Sequence, residues 1–185
     1  VIASFSNSVG QIEIGSTVNN VDLLWSYNHD VTSQSLTDVG LVTPVSLRSF
    51  SLSGLGLTSN KTWTLSSTDG ITPKSANTTL SFLHKRYWGV SPLTTLTDPD
   101  VLALSSELAT TRVQKRTIDA SGGNYIWFAW PNTFSSGDFW VNGLQNTAWV
   151  LSTQTFVNAS GYSSTFRLYR SLYIQNGSGI DVEVR

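Results

Sequence analysis

The segment Val21–Tyr27 reads VDLLWSY and shows a regular alternation of apolar and other residues. Val21, Leu23 and Trp25 stand at every second position, and the residues between them include the charged Asp22. Because successive side chains of a strand point to opposite faces, this period of two is typical of a strand with one buried face. The stretch therefore predicts a half-buried β-strand.

The same alternation recurs through the first half of the chain, at intervals of about 8–12 residues. Asp69-Gly70 supplies a turn before the last of these segments. Short strands at this spacing favour a β-sandwich over a parallel sheet. Besides Val21–Tyr27, the predicted strands are Ser8–Ile14, Ser33–Val39, Leu47–Ser53, Thr62–Ser66 and Thr78–Leu83.

The stretch Phe50–Leu65 resembles the E–F corner of fibronectin type III domains. In that family a strand ends on a buried leucine, a polar turn follows, and a threonine and a large aromatic residue open the next strand. Here these two are Thr62 and Trp63, where the family usually has tyrosine, and Trp25 stands where such domains place their core tryptophan. The resemblance implies an immunoglobulin-like sandwich over about residues 8–83 and implies no function.

The strand pattern stops at His84-Lys85-Arg86, which we interpret as a solvated basic cluster at a domain boundary. A helix is predicted next, over residues 97–109. Val101, Leu104 and Leu108 recur at i, i+3 and i+7, which gives an apolar stripe to lay on a sheet.

The remainder of the chain is predicted to form strands again, and Asn142-Gly143 is a strong hairpin signal. We therefore expect an all-β protein of two sandwiches, an immunoglobulin-like domain over 1–86 and a jelly-roll-like domain with one short helix over 87–185. The predicted strands of the second domain are Arg112–Ile118, Tyr125–Trp130, Phe139–Val141, Ala148–Val157, Phe166–Tyr173 and Ile180–Val184.

Composition excludes several classes of function. The 185 residues carry 11 Lys plus Arg and 12 Asp plus Glu, a net charge of -1, so nothing attracts a nucleic acid. The absence of cysteine excludes disulfides, thiol chemistry and cysteine-ligated metals. No apolar run approaches the roughly 18 residues of a membrane helix, which argues against membrane insertion.

Residues for catalysis are scarce. His29 lies in a polar turn-like segment, and the glutamates Glu13, Glu107 and Glu183 are scattered along the chain. The acids of Asp98–Asp100 are explained by the start of a helix, where negative charge is favourable. We therefore predict no catalytic residues, no metal site and no cofactor.

Aromatic residues are concentrated between Tyr125 and Trp149, and the predicted strand Tyr125–Trp130 carries rings on both faces. One explanation is that both faces are buried by neighbouring elements. The other is that some rings present flat apolar surfaces to sugars, a use to which tryptophan and tyrosine are suited. The candidate carbohydrate-binding residues are Trp127, Trp140, Trp149 and Tyr162.

Most of the chain resembles a module of tailed-bacteriophage virion proteins of the tail-fibre and head-fibre type. The resemblance implies a non-enzymatic, homo-oligomeric appendage on the particle surface, in contact with other virion proteins and with a host polysaccharide. The alternative is a carbohydrate-binding module of a surface or secreted bacterial protein. The resemblance covers the segments Val9–Asn28, Lys61–Gly89 and Thr94–Arg116, with the motifs Glu13–Val18, Leu24–Asn28, Tyr87–Ser91, Leu104–Leu108 and Tyr125–Pro131.

Overall fold

The computed structural model describes residues 2–185 and is all-β, with 56% of the residues in strands. The strands form three antiparallel sheets. In chain order the elements are β1 (Ile2–Asn7), β2 (Gln11–Glu13), β3 (Val21–Tyr27), β4 (Ser33–Leu36), β5 (Gly40–Leu41), β6 (Ser49–Leu52), β7 (Lys61–Thr68), β8 (Pro73–Ser91), α1 (Asp98–Leu102), β9 (Ser105–Ala109), β10 (Gln114–Ile118), β11 (Tyr125–Pro131), a 3-10 turn (Asn132–Phe134), β12 (Phe139–Val141), β13 (Leu144–Asn146), β14 (Trp149–Val157), β15 (Ser163–Ser171) and β16 (Ile180–Val184).

The contacts divide the chain into two compact units, one ending at Phe82 and the other beginning at Leu83. The division falls within β8, and the boundary predicted from the sequence lies between residues 86 and 87. We call the part up to Phe82 unit 1 and the part from Leu83 to Arg185 unit 2.

Unit 1 contains a sheet in the order β1-β3-β6 and a run of paired strands in the order β5-β4-β7-β8. The alternation predicted for β3 is confirmed, since Val21, Leu23 and Trp25 are at most 3% exposed. Trp63 and Leu65 of β7 lie in the same apolar core. Because one face of each strand supplies this core, the other face can carry polar residues.

One buried amide links the strands of unit 1. Gln34 is 1% exposed, and its Oε1 accepts hydrogen bonds from Trp25 Nε1 and from the Tyr27 hydroxyl, both at 3.0 Å. Its Nε2 donates to the carbonyls of Pro44 and Leu47 at 3.4 and 3.3 Å. A buried polar side chain is tolerated when its hydrogen bonds are made, and Gln34 makes them on both sides of its amide.

Unit 2 contains strands in the order β14-β15-β11-β8, with β9 also paired to β8, and a second sheet in the order β10-β16-β12-β13. Strand β11 is buried on both faces. Trp127 and Ala129 belong to one apolar cluster with Val101 of α1, whereas Phe128 and Trp130 belong to another with residues of the second sheet. Burial on both faces therefore accounts for the rings that the sequence places on both sides of this strand.

The helix prediction over 97–109 is wrong beyond Leu102. Helix α1 covers only Asp98–Leu102, and Ser105–Ala109 forms strand β9 against β8. Val101 is fully buried as the stripe predicts, but Leu108 lies on a strand. Pairing with β8 outweighs helix propensity here, because it sets Glu107 directly opposite Arg86.

The prediction of a solvated basic cluster at His84–Arg86 is also wrong, because β8 continues to Ser91. The Arg86 side chain is only 15% exposed and donates from Nε to Glu107 at 2.8 Å. Glu107 also pairs with Arg116, whose guanidinium lies 3.6 Å from the Trp88 ring centroid. Arg86 is therefore a structural partner of Glu107 rather than a solvated surface charge.

Most predicted strands of unit 2 are confirmed within a few residues. Phe139–Val141 and Ile180–Val184 have the predicted bounds, and β11 extends the prediction by Pro131 alone. The Asn142-Gly143 hairpin is present between β12 and β13, and both of its residues have positive φ.

Candidate binding site

A cavity of about 80 Å³ opens in unit 2 beside Trp149, and we call it the Trp149 cavity. The start of β14 positions Trp149, the β12–β13 hairpin supplies Val141 and Asn146, and the segment after β15 supplies Tyr173. The lining is completed by Ile126, Ala148, Ser171, Gln175 and Ile180. Rings, aliphatic groups and amides thus meet in one place.

A second cavity, of about 180 Å³, also uses Trp149 and Asn146 in its lining. Its other residues include Asp138, Gln145 and Tyr169. The two cavities are therefore neighbours that share one indole and one amide side chain.

The Trp149 ring is held in place by other rings. It stacks on Phe139 with a centroid separation of 4.0 Å and meets Phe128 edge-on at 5.9 Å. Its Nε1 is buried and has no hydrogen-bond partner among the described residues. Because an unmet buried donor is costly, this indole nitrogen is a polar group that the surrounding protein leaves unsatisfied.

Several polar groups of the Trp149 cavity are already engaged. Ser171 Oγ accepts from the Ile126 amide at 3.0 Å and donates to the Tyr173 carbonyl at 2.9 Å. Gln175 Nε2 donates to the same carbonyl at 3.1 Å, and Asn146 Oδ1 accepts from the Ala148 amide at 2.8 Å. These bonds fix the positions of the polar side chains around the cavity, so it is preorganised.

Of the four predicted carbohydrate-binding residues, Trp149 alone lines this cavity. Trp127 is 2% exposed and packs within the core of unit 2, so it presents no ring face to solvent. Trp140 lies on β12 and is partly buried, with the Arg185 guanidinium 4.2 Å from its ring centroid.

Tyr162 is 40% exposed and lies beyond the other end of β14, where its ring meets His84 edge-on at 5.9 Å. The nine residues of β14 span roughly 25 Å at about 3.3 Å per residue, which separates Tyr162 from the Trp149 cavity. The structure therefore does not bring the four candidates together.

Sequence reasoning missed Tyr173, which is 67% exposed at the Trp149 cavity. The predicted strand Phe166–Tyr173 includes it, but β15 ends at Ser171. Its neighbours Leu172 and Ile174 are also exposed, at 42% and 54%. An apolar run followed by Gln175-Asn176-Gly177, without strand alternation, was the available signal for an exposed apolar segment.

Two glutamates, Glu107 and Glu183, have structural partners. Burial raises the pKa of Glu107, but hydrogen bonds and charge from Arg86, and then from Arg116, outweigh burial and leave that pKa below its ordinary value. The hydrogen bond from Arg185 lowers the pKa of Glu183. His29 is exposed in the segment after β3. Within residues 2–185 no three histidine, aspartate or glutamate side chains cluster as metal ligands would.

Among the described residues, α1 and every other helical segment are too short and too polar to traverse a bilayer. No protein-family model matches the chain, and no curated protein matches it in sequence.

Proposed function

We propose that the chain is a non-enzymatic structural module of a tailed-phage virion, a surface fibre or host-attachment part that recognises a host polysaccharide. The observation that carries this proposal is the Trp149 cavity. It combines an indole, an exposed tyrosine ring and fixed amide groups, and the carboxylates Glu107 and Glu183 are bound to arginines. Such a site can bind a neutral polar ring and lacks a paired acid and base to cleave it.

The architecture of unit 1 supports an accompanying proposal, that it is an immunoglobulin-like sandwich of the fibronectin type III kind. In such sandwiches strands A, B and E share one sheet and strands C, F and G share the other. The orders β1-β3-β6 and β8-β7-β4-β5 correspond to A-B-E and to G-F-C with one further strand. Buried Trp25 and Trp63 support the same assignment.

For unit 2 we propose a jelly-roll-like sandwich. Its support is a ring-filled interior with strands on both sides of β11. Such an interior keeps a shape without disulfides, which suits a part of a particle that must stay folded outside a cell.

The test of attachment uses two exposed tyrosines as a matched pair. The chain is incubated with a panel of bacterial cells and with purified envelope polysaccharides, and the bound protein is measured. We expect Tyr173→Ala to weaken binding by about tenfold or more, since it removes a ring from the cavity. Tyr162→Ala, at the far end of β14, should bind as the wild type does.

A chain that binds no cell, no polysaccharide and no virion protein contradicts the proposal. Equal losses for the two tyrosine variants would place the binding surface elsewhere than at the Trp149 cavity.

A second candidate, a carbohydrate-binding module of a bacterial surface or secreted protein, is favoured by the two neighbouring cavities that share Trp149 and Asn146. An array of short oligosaccharides separates the two candidates. Binding to free oligosaccharides without binding to cells or to virion proteins favours the second, and binding to intact envelope favours the first.

A further inference from the structure

The longest strand edge of unit 2 is open. Strand β14 lies at the end of its sheet and pairs with β15 over nine consecutive residues, Trp149 to Val157, with no shift in register. Its other edge pairs with no strand of the described chain. A row of unpaired main-chain groups on a long regular strand is a template for another strand.

The direction of each main-chain group follows from two hydrogen bonds at the ends of β14. The Leu172 amide donates to the Ala148 carbonyl at 2.8 Å, so the even-numbered residues face β15. The Val157 amide instead donates to Asp98 Oδ2 at 3.0 Å, so the odd-numbered residues face away. Because the alternation is strict in an antiparallel pair, Leu151, Thr153 and Thr155 direct their N–H and C=O groups outward.

Proteins usually protect such an edge with charge, a bulge or a short strand, and β14 has none of these. No Asp, Glu, Lys or Arg occurs between Asp138 and Arg167. The other edge strands in the described chain differ: β10 carries Lys115 and Arg116, β9 carries Glu107, β1 has a shift in its register, and β2, β5, β6 and β13 have four residues or fewer.

At each end of this edge an outward N–H group is already hydrogen-bonded within the chain, and the two groups lie at equal distances from the centre of the edge. The Trp149 amide donates to the Thr147 carbonyl at 2.9 Å, and Asp98 occupies the Val157 amide. Trp149 and Val157 each lie four positions from Thr153. The open part is therefore symmetric about Thr153, as pairing with a copy of β14 about a two-fold axis at that residue requires.

We propose that this edge binds the same edge of a second copy of the chain, antiparallel and about a two-fold axis at Thr153. Leu151 of one copy then lies opposite Thr155 of the other, and the outward groups of both copies are satisfied. A neutral, self-complementary edge is what an isologous dimer contact requires. A dimer would fit the proposed role as part of a virion. The pairing itself does not depend on which ligand the chain binds.

The absence of cysteine makes a sharp test possible, because an introduced thiol can cross-link only to its copy in a second molecule. In the proposed dimer Thr153 faces its own copy at about 5.5 Å between Cα atoms, within the range that a disulfide spans. Ser152, also exposed, lies diagonal to its copy at about 7–8 Å, too far for a disulfide without backbone movement.

We therefore expect Thr153→Cys to form a covalent dimer under mild oxidation and Ser152→Cys to form far less at the same concentration. Light scattering of the unmodified chain over a concentration series should give the mass of a dimer. Thr153→Pro, which removes an outward N–H that β15 does not use, should be monomeric with an unchanged circular dichroism spectrum. Thr153→Val, which keeps the N–H, should remain dimeric.

A monomer at every concentration overturns the pairing, and so does equal cross-linking of the two cysteine variants. A dimer that persists in a folded Thr153→Pro variant overturns it as well, because its contact lies elsewhere. These outcomes are separate from attachment: a monomer that still binds envelope refutes only the dimer, and a dimer that binds nothing refutes only the proposed function.

Discussion

Strands β3 and β11 have the same length and both carry tryptophan, yet they are buried differently. In β3 the buried Val21, Leu23 and Trp25 alternate with exposed or partly exposed residues, whereas six consecutive residues of β11, from Ile126 to Pro131, are buried. The first strand covers a core from one side. The second lies between two apolar clusters and contributes to both.

The difference shows how much the burial of a strand depends on the elements that pack against it. A one-sided strand needs a single partner layer, and its outer face can change freely. A strand buried on both faces needs every residue to fit, because interiors are packed as densely as organic crystals. The loss of stability on substitution at each face of a strand therefore shows whether that face is covered by a packed layer. Strands β3 and β11 allow this test in both units.

The largest effect should come from removing a ring on either face of β11. Trp127 and Trp130 lie on opposite faces, and both are at most 2% exposed. Trp130 also stacks on Tyr169 at 4.7 Å and donates to the Ser135 carbonyl at 2.9 Å. We expect Trp127→Ala and Trp130→Ala each to lower the free energy of unfolding by about 3–5 kcal/mol, measured by urea unfolding. A near-neutral result for either one would mean that its face is not a core.

Strand β3 could be predicted from the sequence because a strand with one solvent-exposed face alternates apolar and polar residues with a period of two. The rings of β11 left two explanations open, because the sequence does not say what covers a face. The helix over 97–109 failed for a related reason. The i, i+3, i+7 pattern of Val101, Leu104 and Leu108 was present, but partners in β8 decided the structure of Ser105–Ala109.

Among the residues that line the Trp149 cavity, Trp149 alone was a candidate from the sequence. Asn146, Tyr173 and Gln175 come from separate segments and meet only after β12, β13, β14 and β15 have paired. Such long-range placement leaves no local pattern, so sequence reasoning chose candidates by their aromatic side chains and included the buried Trp127.

Substitution of Gln34, the buried amide of unit 1, should have the next largest effect on stability. Gln34→Leu keeps the volume but leaves the Trp25 indole N–H and the Tyr27 hydroxyl without their acceptor. We expect a loss of about 1–3 kcal/mol in the free energy of unfolding, the cost of buried groups left unsatisfied. The exposed Gln11 provides the control, and Gln11→Leu should change stability by less than about 0.5 kcal/mol. Equal effects would show that the Gln34 amide is not an anchor.

In unit 2 the corresponding polar group is the charged Glu107, which is paired with Arg86 and Arg116. The stability of the two units should therefore respond differently to acid. The pKa of Glu107 is below its ordinary value of 4.5 in the folded chain, so its ion pairs stabilise the fold above pH 4.5. That contribution is lost as the pH falls from 4.5 through the lowered folded pKa. Since the side chain is 38% exposed and solvent screens it, we expect Glu107→Gln to cost about 1 kcal/mol at pH 7.

Urea unfolding of both proteins between pH 7 and pH 3 measures this effect, and the two curves should converge toward the acid end. Asp30→Asn, at an exposed position, should follow the wild type throughout. If the difference between Glu107→Gln and the wild type is independent of pH, the Arg86 and Arg116 pairs do not stabilise the fold through charge.

The smallest effect on stability should come from a substitution on the outer face of β3. It is also the most direct test of the difference between β3 and β11. Leu24 is 45% exposed although it is flanked by the buried Leu23 and Trp25. Leu24→Thr keeps a residue with high strand propensity and buries no new polar group, so we expect a change within about 0.5 kcal/mol in urea unfolding. The equivalent change on β11, Phe128→Thr, removes a fully buried ring and should cost several kcal/mol. A large loss at Leu24 would mean that β3 also has a second layer, and the contrast between a one-sided and a two-sided strand would then fail in unit 1 rather than in unit 2.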